Sequence, residues 1–307
     1  LIEGEKRHIF LGNVAEQHPE AATIHALTQE IARLTGASFG FLGEAANSLG
    51  GYVAGVLPTA NGLNAYEMLV QPRKAYVVLG AELERDAHNA QLATTALKQA
   101  AFTIAMEPTD GAVQVGCVGS LHAKLSFEGK AAHSARPWQG LNAIHAAGPL
   151  LTRLKDRARR EVTVHGLSYF EVINATLASG GRTRNVIPDA FELSVNYRFA
   201  PGRTSDEALE DLEALAAGEC QVELVDAAPS GRVAAENPLA QQLIRLSGRA
   251  PEAKQAWTDV ARFSALGVDA VNFGPGATAQ AHQASEFCSV RALDESARVL
   301  EQLLRGR

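Results

Sequence analysis

The chain has 307 residues, which is enough to bury a large core and favours two domains. Hydrophobic residues make up 46% and charged residues 20%, as in a folded and soluble protein. The net charge of −6 and the 6% of aromatic residues give no basis for binding nucleic acid or an anionic membrane.

The first part of the chain alternates short apolar runs with stretches of helical spacing. Such alternation predicts βαβ units around a parallel sheet. The predicted strands are 8–12, 38–43, 74–80 and 102–106, and the predicted helices are 20–34 and 89–100.

The middle part changes to strands with period-two alternation and fewer helices, which predicts a smaller α+β sandwich. Its strands are predicted at 121–129, 162–169, 172–178 and 191–198, and its helices at 140–154 and 205–215. The last part returns to the earlier pattern, with a strand at 268–273 and a helix at 294–304. We therefore predict an α/β domain from 1–115 plus 226–307, with the α+β domain 116–225 inserted.

Three cysteines, Cys117, Cys220 and Cys288, are far apart and form no CxxC pair. We expect neither a disulfide framework nor a cysteine zinc site. We also expect neither a signal peptide nor a membrane helix, so the expected compartment is the cytoplasm.

Polar and glycine-rich segments succeed one another from Met106 onward. They are Glu107 to Gly111, Gly129 to Pro137, Gly140 to His145, Asn185 to Asp189, Asn196 to Pro201, Trp257 to Phe263, and Gly274 to Gly276 followed by His282. In this order they resemble the di-zinc aminoacylase and carboxypeptidase family, and most of all its actinobacterial succinyl-diaminopimelate desuccinylases. The resemblance implies hydrolysis of an N-acyl amino acid amide bond at a pair of zinc ions.

The same resemblance implies metal and catalytic roles. Glu107 would be a ligand of one zinc ion and His282 a ligand of the other. His133 would reach into the site of a partner protomer and polarise the scissile carbonyl, which implies a homodimer.

It also implies a substrate pocket for a small dicarboxylate or diamino-acid amide. Asn185 and Arg198 would hold the substrate, with Arg198 gripping a carboxylate through its forked guanidinium group. Ser120 and Gly276 would line the pocket, where a glycine lets backbone N–H groups approach an anion closely.

Other interpretations of the histidines and of Glu107 stay open. A Glu before Pro is more often a surface or capping residue, and a lone His such as His282 is more often structural. No matching segment supports His122, His145 or His165, and we predict structural roles for these three.

Before Glu107, the chain lacks groups that the family chemistry requires. There is no His-x-Asp, no later bridging Asp and no Glu-Glu pair, of which the first Glu would be the general base. The nearest pattern is Asp86-Ala87-His88, in reversed order, and a solvated loop is the preferred interpretation.

Residues 10–105 instead resemble part of the bacterial NADH:quinone oxidoreductase, namely the large molybdopterin-oxidoreductase-like region of its iron–sulfur protein. The phrases that carry this are Gly12 to Pro19, Leu34 to Ala37, Gly40 to Ser48, Gly62 to Ala65 and Gln71 to Gly80. That region implies a Rossmann-like α/β layer without catalytic residues. The simplest account is a chimera that joins two families at Phe102 to Met106.

Three functions remain open at this point. The first is a zinc amidohydrolase of the desuccinylase type, impaired or inactive because metal ligands and the general base are missing. The second is a non-catalytic dimer that keeps the hydrolase fold, and the third is a fragment related to the NADH:quinone oxidoreductase.

Overall fold

The structure is a computed structural model that describes the chain except residues 1–3, 5, 17, 44–50, 52, 60–61, 88, 281–282 and 307. It divides into two compact units, Leu1–Met68 and Leu69–Arg307. No helix in these described segments is long and apolar enough to cross a membrane.

The first unit contains a two-stranded parallel sheet. Its elements are β1 (His8–Gly12), α1 (Asn13–Glu16), α2 (Ala21–Thr35) and β2 (Ser38–Leu42). The helix α2 ends at Gly36, which adopts a left-handed conformation with φ 65° and donates its N–H to the Ala32 carbonyl. Glycine reaches this conformation without steric cost, so the predicted helix end is explained by local sequence.

The second unit contains a mixed five-stranded sheet in the order β13-β5-β14-β4-β3. Its strands are β3 (Ala75–Val78), β4 (Phe102–Ala105), β5 (Gln114–Val115), β13 (Glu252–Ala253) and β14 (Ala270–Asn272). The strands β3, β4 and β14 run parallel. All four residues of β4 are buried, as expected for a central parallel strand covered on both faces.

Helices accompany this mixed sheet along the chain. They are α3 (Ala65–Val70), which crosses the boundary between the units, α4 (Leu83–Asp86), α5 (Ala90–Leu97), α9 (Pro238–Ser247), α10 (Val260–Ala265) and α11 (Val290–Leu304). The core beside the sheet contains Phe102, Ile104, Val271 and Phe273, all at most 2% exposed.

A second five-stranded sheet, which we call the lid sheet, is antiparallel in the order β12-β6-β11-β9-β8. Its strands are β6 (Gly119–Glu128), β8 (Arg160–Val164), β9 (Leu167–Gly180), β11 (Ala190–Phe199) and β12 (Gln221–Ala228). The short strands β7 (Ala132–His133) and β10 (Val186–Ile187) pair with each other. The helices α6 (Ala143–Ala146), α7 (Gly148–Asp156) and α8 (Ser205–Ala216) complete this region.

The helices of this region pack on one face of the lid sheet. Leu121, Leu125 and Tyr197 are fully buried in one cluster with Leu150 of α7 and Leu212 of α8. Because side chains alternate across a strand, the even-numbered residues of β6 and β11 lie on the opposite face. That face carries two of the predicted substrate-binding residues.

Two sequence predictions of single elements are wrong. The predicted strand 162–169 is a hairpin between β8 and β9, because His165 and Gly166 adopt positive φ values of 48° and 77°. The predicted helix 140–154 is divided into α6 and α7, and Pro149 lies in the first turn of α7.

Candidate active site

Glu107 and Gly276 lie together where β4 and β14 end. The Asp110 N–H donates to the Gly276 carbonyl at 2.8 Å, so the loop after β4 is tied to the loop after β14. A Cβ atom at Gly274 would lie 2.6 Å from the Glu107 carbonyl oxygen, which requires glycine at that position. Ligands bind preferentially at the carboxyl ends of strands in open α/β sheets, so this edge is the expected place for a site.

Lys254 is the cation that lies next to Glu107. The Lys254 Nζ atom is 3.9 Å from Glu107 Oε2, and the lysine side chain is only 5% exposed. Burial lowers the pKa of the Lys254 ammonium group, and the Glu107 carboxylate partly offsets this effect. The sequence interpretation missed Lys254, because a single lysine has no distinctive pattern.

The described residues do not by themselves form a zinc site. A structural or catalytic zinc ion generally has at least three protein ligands. In the described part of the chain, no group of three or more His, Cys, Asp or Glu residues is placed to hold a metal. His282, the second predicted ligand, and His88 lie outside the described residues. The Asp86 carboxylate accepts a hydrogen bond from the Glu82 N–H at 2.6 Å.

A cavity of about 490 Å³ adjoins Glu107 at the same sheet edge, and its wall includes Glu82 and Asp259. Arg262 neutralises these acids. Its guanidinium group lies 2.9 Å from Glu82 and 3.3 Å from Asp259, and it also hydrogen-bonds Glu84. The carboxylates beside the cavity thus have an internal arginine as partner.

Ser120 and Arg198 face each other on the open side of the lid sheet. They are directly paired in the register of β6 and β11. The Arg198 Nε–H donates to Asn196 Oδ1 at 3.0 Å. Ser120 lies two residues after Val118, whose N–H donates to the Lys254 carbonyl at 3.3 Å. This pair therefore adjoins the Glu107 edge of the mixed sheet.

His133 and Asn185 form a separate pair at the other end of the lid sheet. The Ser134 N–H donates to the Asn185 carbonyl at 2.9 Å, which joins β7 to the segment before β10. His133 is exposed, and its Nδ1 atom accepts a hydrogen bond from the Ala135 N–H at 3.1 Å. In the neutral ring the proton is therefore on Nε2, which leaves Nε2–H as a donor.

The predicted residues thus fall into two places rather than one. Ser120 begins β6, and the β7–β10 pair flanks the far end of that strand at Glu128. Eight residues of strand at ~3.3 Å each separate the two places by about 25 Å. Within one chain, His133 and Asn185 do not meet Ser120 and Arg198.

Comparisons with known proteins add a family context to this geometry. Residues 115–222 match the family model described as a peptidase dimerisation domain, M20_dimer. The chain is 39% identical over 203 residues to a succinyl-diaminopimelate desuccinylase of Corynebacterium glutamicum, which covers 64% of this chain and 55% of that relative. It is 30% identical over 289 residues to an acetylornithine deacetylase of Myxococcus xanthus, covering 90% of this chain and 75% of the relative.

Solved structures show the same fold. A tripeptidase from Staphylococcus aureus matches 70% of this chain and 60% of its own chain, with a TM-score of 0.56 at 19% identity. An M20 family metallo-carboxypeptidase from Sulfolobus solfataricus matches 69% of this chain and 65% of its own, with a TM-score of 0.52 at 14% identity. The mixed α/β fold with an inserted α+β region is confirmed by these similarities. The chain spans just over half the length of the desuccinylase that it matches.

Proposed function

Since this chain belongs to the M20 peptidase family of metallohydrolases, we propose that it is an amidohydrolase of the succinyl-diaminopimelate desuccinylase type with an incomplete metal centre. It would bind an N-acyl amino acid and hydrolyse the amide bond slowly or not at all.

The ion pair between Glu107 and Lys254 carries this proposal. In the desuccinylase resemblance, Glu107 is a zinc ligand, which requires an unpaired carboxylate facing a cation site. In this chain, the buried ammonium group of Lys254 lies 3.9 Å from that carboxylate. The described donors do not fit a pair of zinc ions, because only one predicted ligand lies among them and its neighbour is a cation.

The substrate-binding side of the site keeps suitable chemistry. Arg198 lies on the open face of the lid sheet with Ser120 opposite, so a guanidinium group and a hydroxyl group are available to a carboxylate. Asn185 and His133 offer amide and imidazole groups at the other end of the sheet. These groups support binding of an acyl amino acid independently of turnover.

The separation of the two groups supports a homodimer. Because about 25 Å of strand separates Ser120 from the end that carries His133, one protomer does not unite the predicted residues. A second copy that presents its own His133 and Asn185 beside Ser120 and Arg198 would do so. The match of residues 115–222 to a dimerisation domain is consistent with this arrangement.

A turnover assay on the full chain tests the proposal. Zinc-equilibrated protein is incubated with N-succinyl-diaminopimelate or N-acetyl-L-ornithine, and amine release is compared between the wild-type chain and the His133→Ala variant. We expect no difference above background, because general-base loss alone costs at least about 10²-fold in rate. A measurable wild-type rate that falls sharply in His133→Ala would contradict an incomplete centre.

Sedimentation at micromolar concentration tests the dimer separately. A dimer without turnover supports the proposal as stated. A strictly monomeric profile would remove the assembly that unites the two groups of residues.

A further inference from the structure

We propose that Asn196 and His122 complete a carboxylate subsite around Arg198 on the lid sheet. Asn196 is a positioning residue that fixes the arginine, and His122 is a second donor to the ligand. The ligand class is the α-carboxylate of an N-acyl amino acid, so the inference rests on the proposed function and names the group by which its substrate is held.

Asn196 is the centre of the hydrogen bonds on this face. Its Oδ1 atom accepts from Arg198 Nε–H at 3.0 Å, which fixes the orientation of the amide. Its Nδ2 atom then points the other way and donates to the Leu121 carbonyl at 3.2 Å. The same Nδ2 atom is 3.3 Å from Ser120 Oγ and 3.2 Å from His122 Nε2.

The bond from Asn196 decides which part of Arg198 meets a ligand. A guanidinium group has five N–H donors, and here the Nε–H donor is already used. The two terminal amino groups of Arg198 have no protein partner in the described segments. They form the end of the fork that matches the two oxygens of a carboxylate, so the arginine is held for end-on binding.

The bond from Asn196 also fixes the proton of the His122 ring. Because Nε2 receives a donor from Asn196, Nε2 is unprotonated and the neutral ring carries its proton on Nδ1. His122 is exposed, so this Nδ1–H donor is available to a ligand. Asp226 of β12 is paired with His122 in the register, and the structure shows no hydrogen bond or ion pair between the two among its described residues.

The sheet holds the four side chains in a rigid arrangement. In the register of β6 and β11, Ser120 is opposite Arg198 and His122 is opposite Asn196. The intervening residues Leu121 and Tyr197 are fully buried on the other face, which fixes both strands. Side chains preorganised on a buried sheet bind a ligand without the entropic cost of ordering a loop.

A pair of ligands that differ by one carboxylate tests this subsite. N-acetyl-L-ornithine and N-acetylputrescine are identical except that the latter lacks the α-carboxylate. Binding of each to the full chain is measured by titration calorimetry, and the ratio of the two Kd values is the readout. We expect the wild-type chain to prefer N-acetyl-L-ornithine by about tenfold or more, which is the effect of one charge-assisted hydrogen-bond pair.

Three variants assign this preference to the proposed residues. Asn196→Ala and His122→Phe are expected to reduce the ratio about threefold to tenfold, while the Kd of N-acetylputrescine changes little. Asn196→Asp has nearly the same shape but adds a negative charge, and it is expected to reduce the ratio at least as much. Ser194→Ala is the matched control, because Ser194 lies on the same face of β11 and only its backbone carbonyl takes part in a hydrogen bond.

The outcomes separate this inference from the proposed function. If the wild-type chain prefers N-acetyl-L-ornithine and both Asn196 variants and His122→Phe keep the full ratio, the subsite is overturned while the proposed binding function stands. If the wild-type chain binds both ligands equally, the subsite is also overturned. If it binds neither ligand, the binding part of the proposed function fails as well. Folding of each variant is checked by its thermal transition, and Asn196→Asp replaces Asn196→Ala if the latter does not fold.

Discussion

The lid sheet and the first compact unit contain similar apolar residues but bury them to very different extents. In the lid sheet region, Phe127 and Tyr197 are at most 2% exposed. In Leu1–Met68, the described buried side chains are Thr28 and Ala32, and Leu34 of α2 remains 69% exposed. Helical spacing of apolar residues therefore identifies a helix but does not ensure that a partner layer covers its face.

The difference between the regions also separates their energetics. Burial of a large side chain contributes about 1.5–3 kcal/mol, whereas an exposed one contributes little. We therefore expect stability to be concentrated in the lid sheet and the mixed sheet. The following three predictions test this contrast.

The largest expected effect is at Phe127. Phe127→Ala removes a buried ring that packs near Phe191, with ring centroids 6.1 Å apart, and should cost about 3–5 kcal/mol of unfolding free energy. Leu34→Ala on exposed α2 should change it by about 0.5 kcal/mol or less. Urea unfolding followed by circular dichroism measures both. Equal losses in the two variants would show that α2 is covered as well as the lid sheet.

A smaller effect is expected at Glu171, a buried carboxylate of β9. Its side chain is 3% exposed, lies 2.6 Å from an Arg160 Nη atom and accepts the Ala200 N–H at 3.0 Å. Arg203 Nε lies 3.4 Å from the same carboxylate. Glu171→Gln should destabilise the chain by about 2–4 kcal/mol, because Arg160 and Arg203 lose their shared counter-charge.

The matched control is Glu223→Gln. Glu223 is 64% exposed and pairs with Lys124 at 2.6 Å on the same sheet. An exposed ion pair contributes about 1 kcal/mol or less, so this variant should unfold almost as the wild type does. A Glu223 effect as large as that of Glu171 would contradict the role given to burial.

The smallest change concerns cysteine reactivity. Cys288 is exposed, whereas Cys117 is buried and its pKa is raised by burial. Because the thiolate is the reactive form, a thiol reagent at about pH 8 should modify Cys288 first and Cys117 only after unfolding. Cys288→Ser should remove the fast phase. Rapid modification of Cys117 in the native chain would indicate that the segment before the lid sheet opens readily.

The sequence predicted most elements because their patterns are local. The strands of the two sheets and the ends of α2 at Gly36 and of α8 near Ala216 follow from period and capping residues. The hairpin at His165-Gly166 was missed because His-Gly is not among the usual two-residue turn signals.

The site was predicted less completely because its contacts depend on register. Ser120 and Arg198 are 78 positions apart, and only the pairing of β6 with β11 brings them together with Asn196. His122 was interpreted as structural because nothing in the sequence shows that it lies opposite Asn196. Lys254 was missed for the same reason, since its proximity to Glu107 follows from the chain path.

The predicted chimera stays a prediction. The acetylornithine deacetylase alignment covers 90% of this chain, so it includes residues from both parts, and it does not test the resemblance of residues 10–105 to the NADH:quinone oxidoreductase. The absence of a His-x-Asp and a Glu-Glu pair before Glu107 is a property of the sequence itself. The incomplete metal centre is therefore argued from residue content and from the Lys254 contact.

Bound zinc per chain tests this central claim most directly. The full chain is equilibrated with zinc, exchanged into metal-free buffer and measured by elemental analysis. An incomplete centre predicts well below one zinc per chain, because Glu107 is paired with Lys254 and too few ligands surround it among the described residues. Near two zinc ions per chain would contradict the account and show that other residues complete the centre.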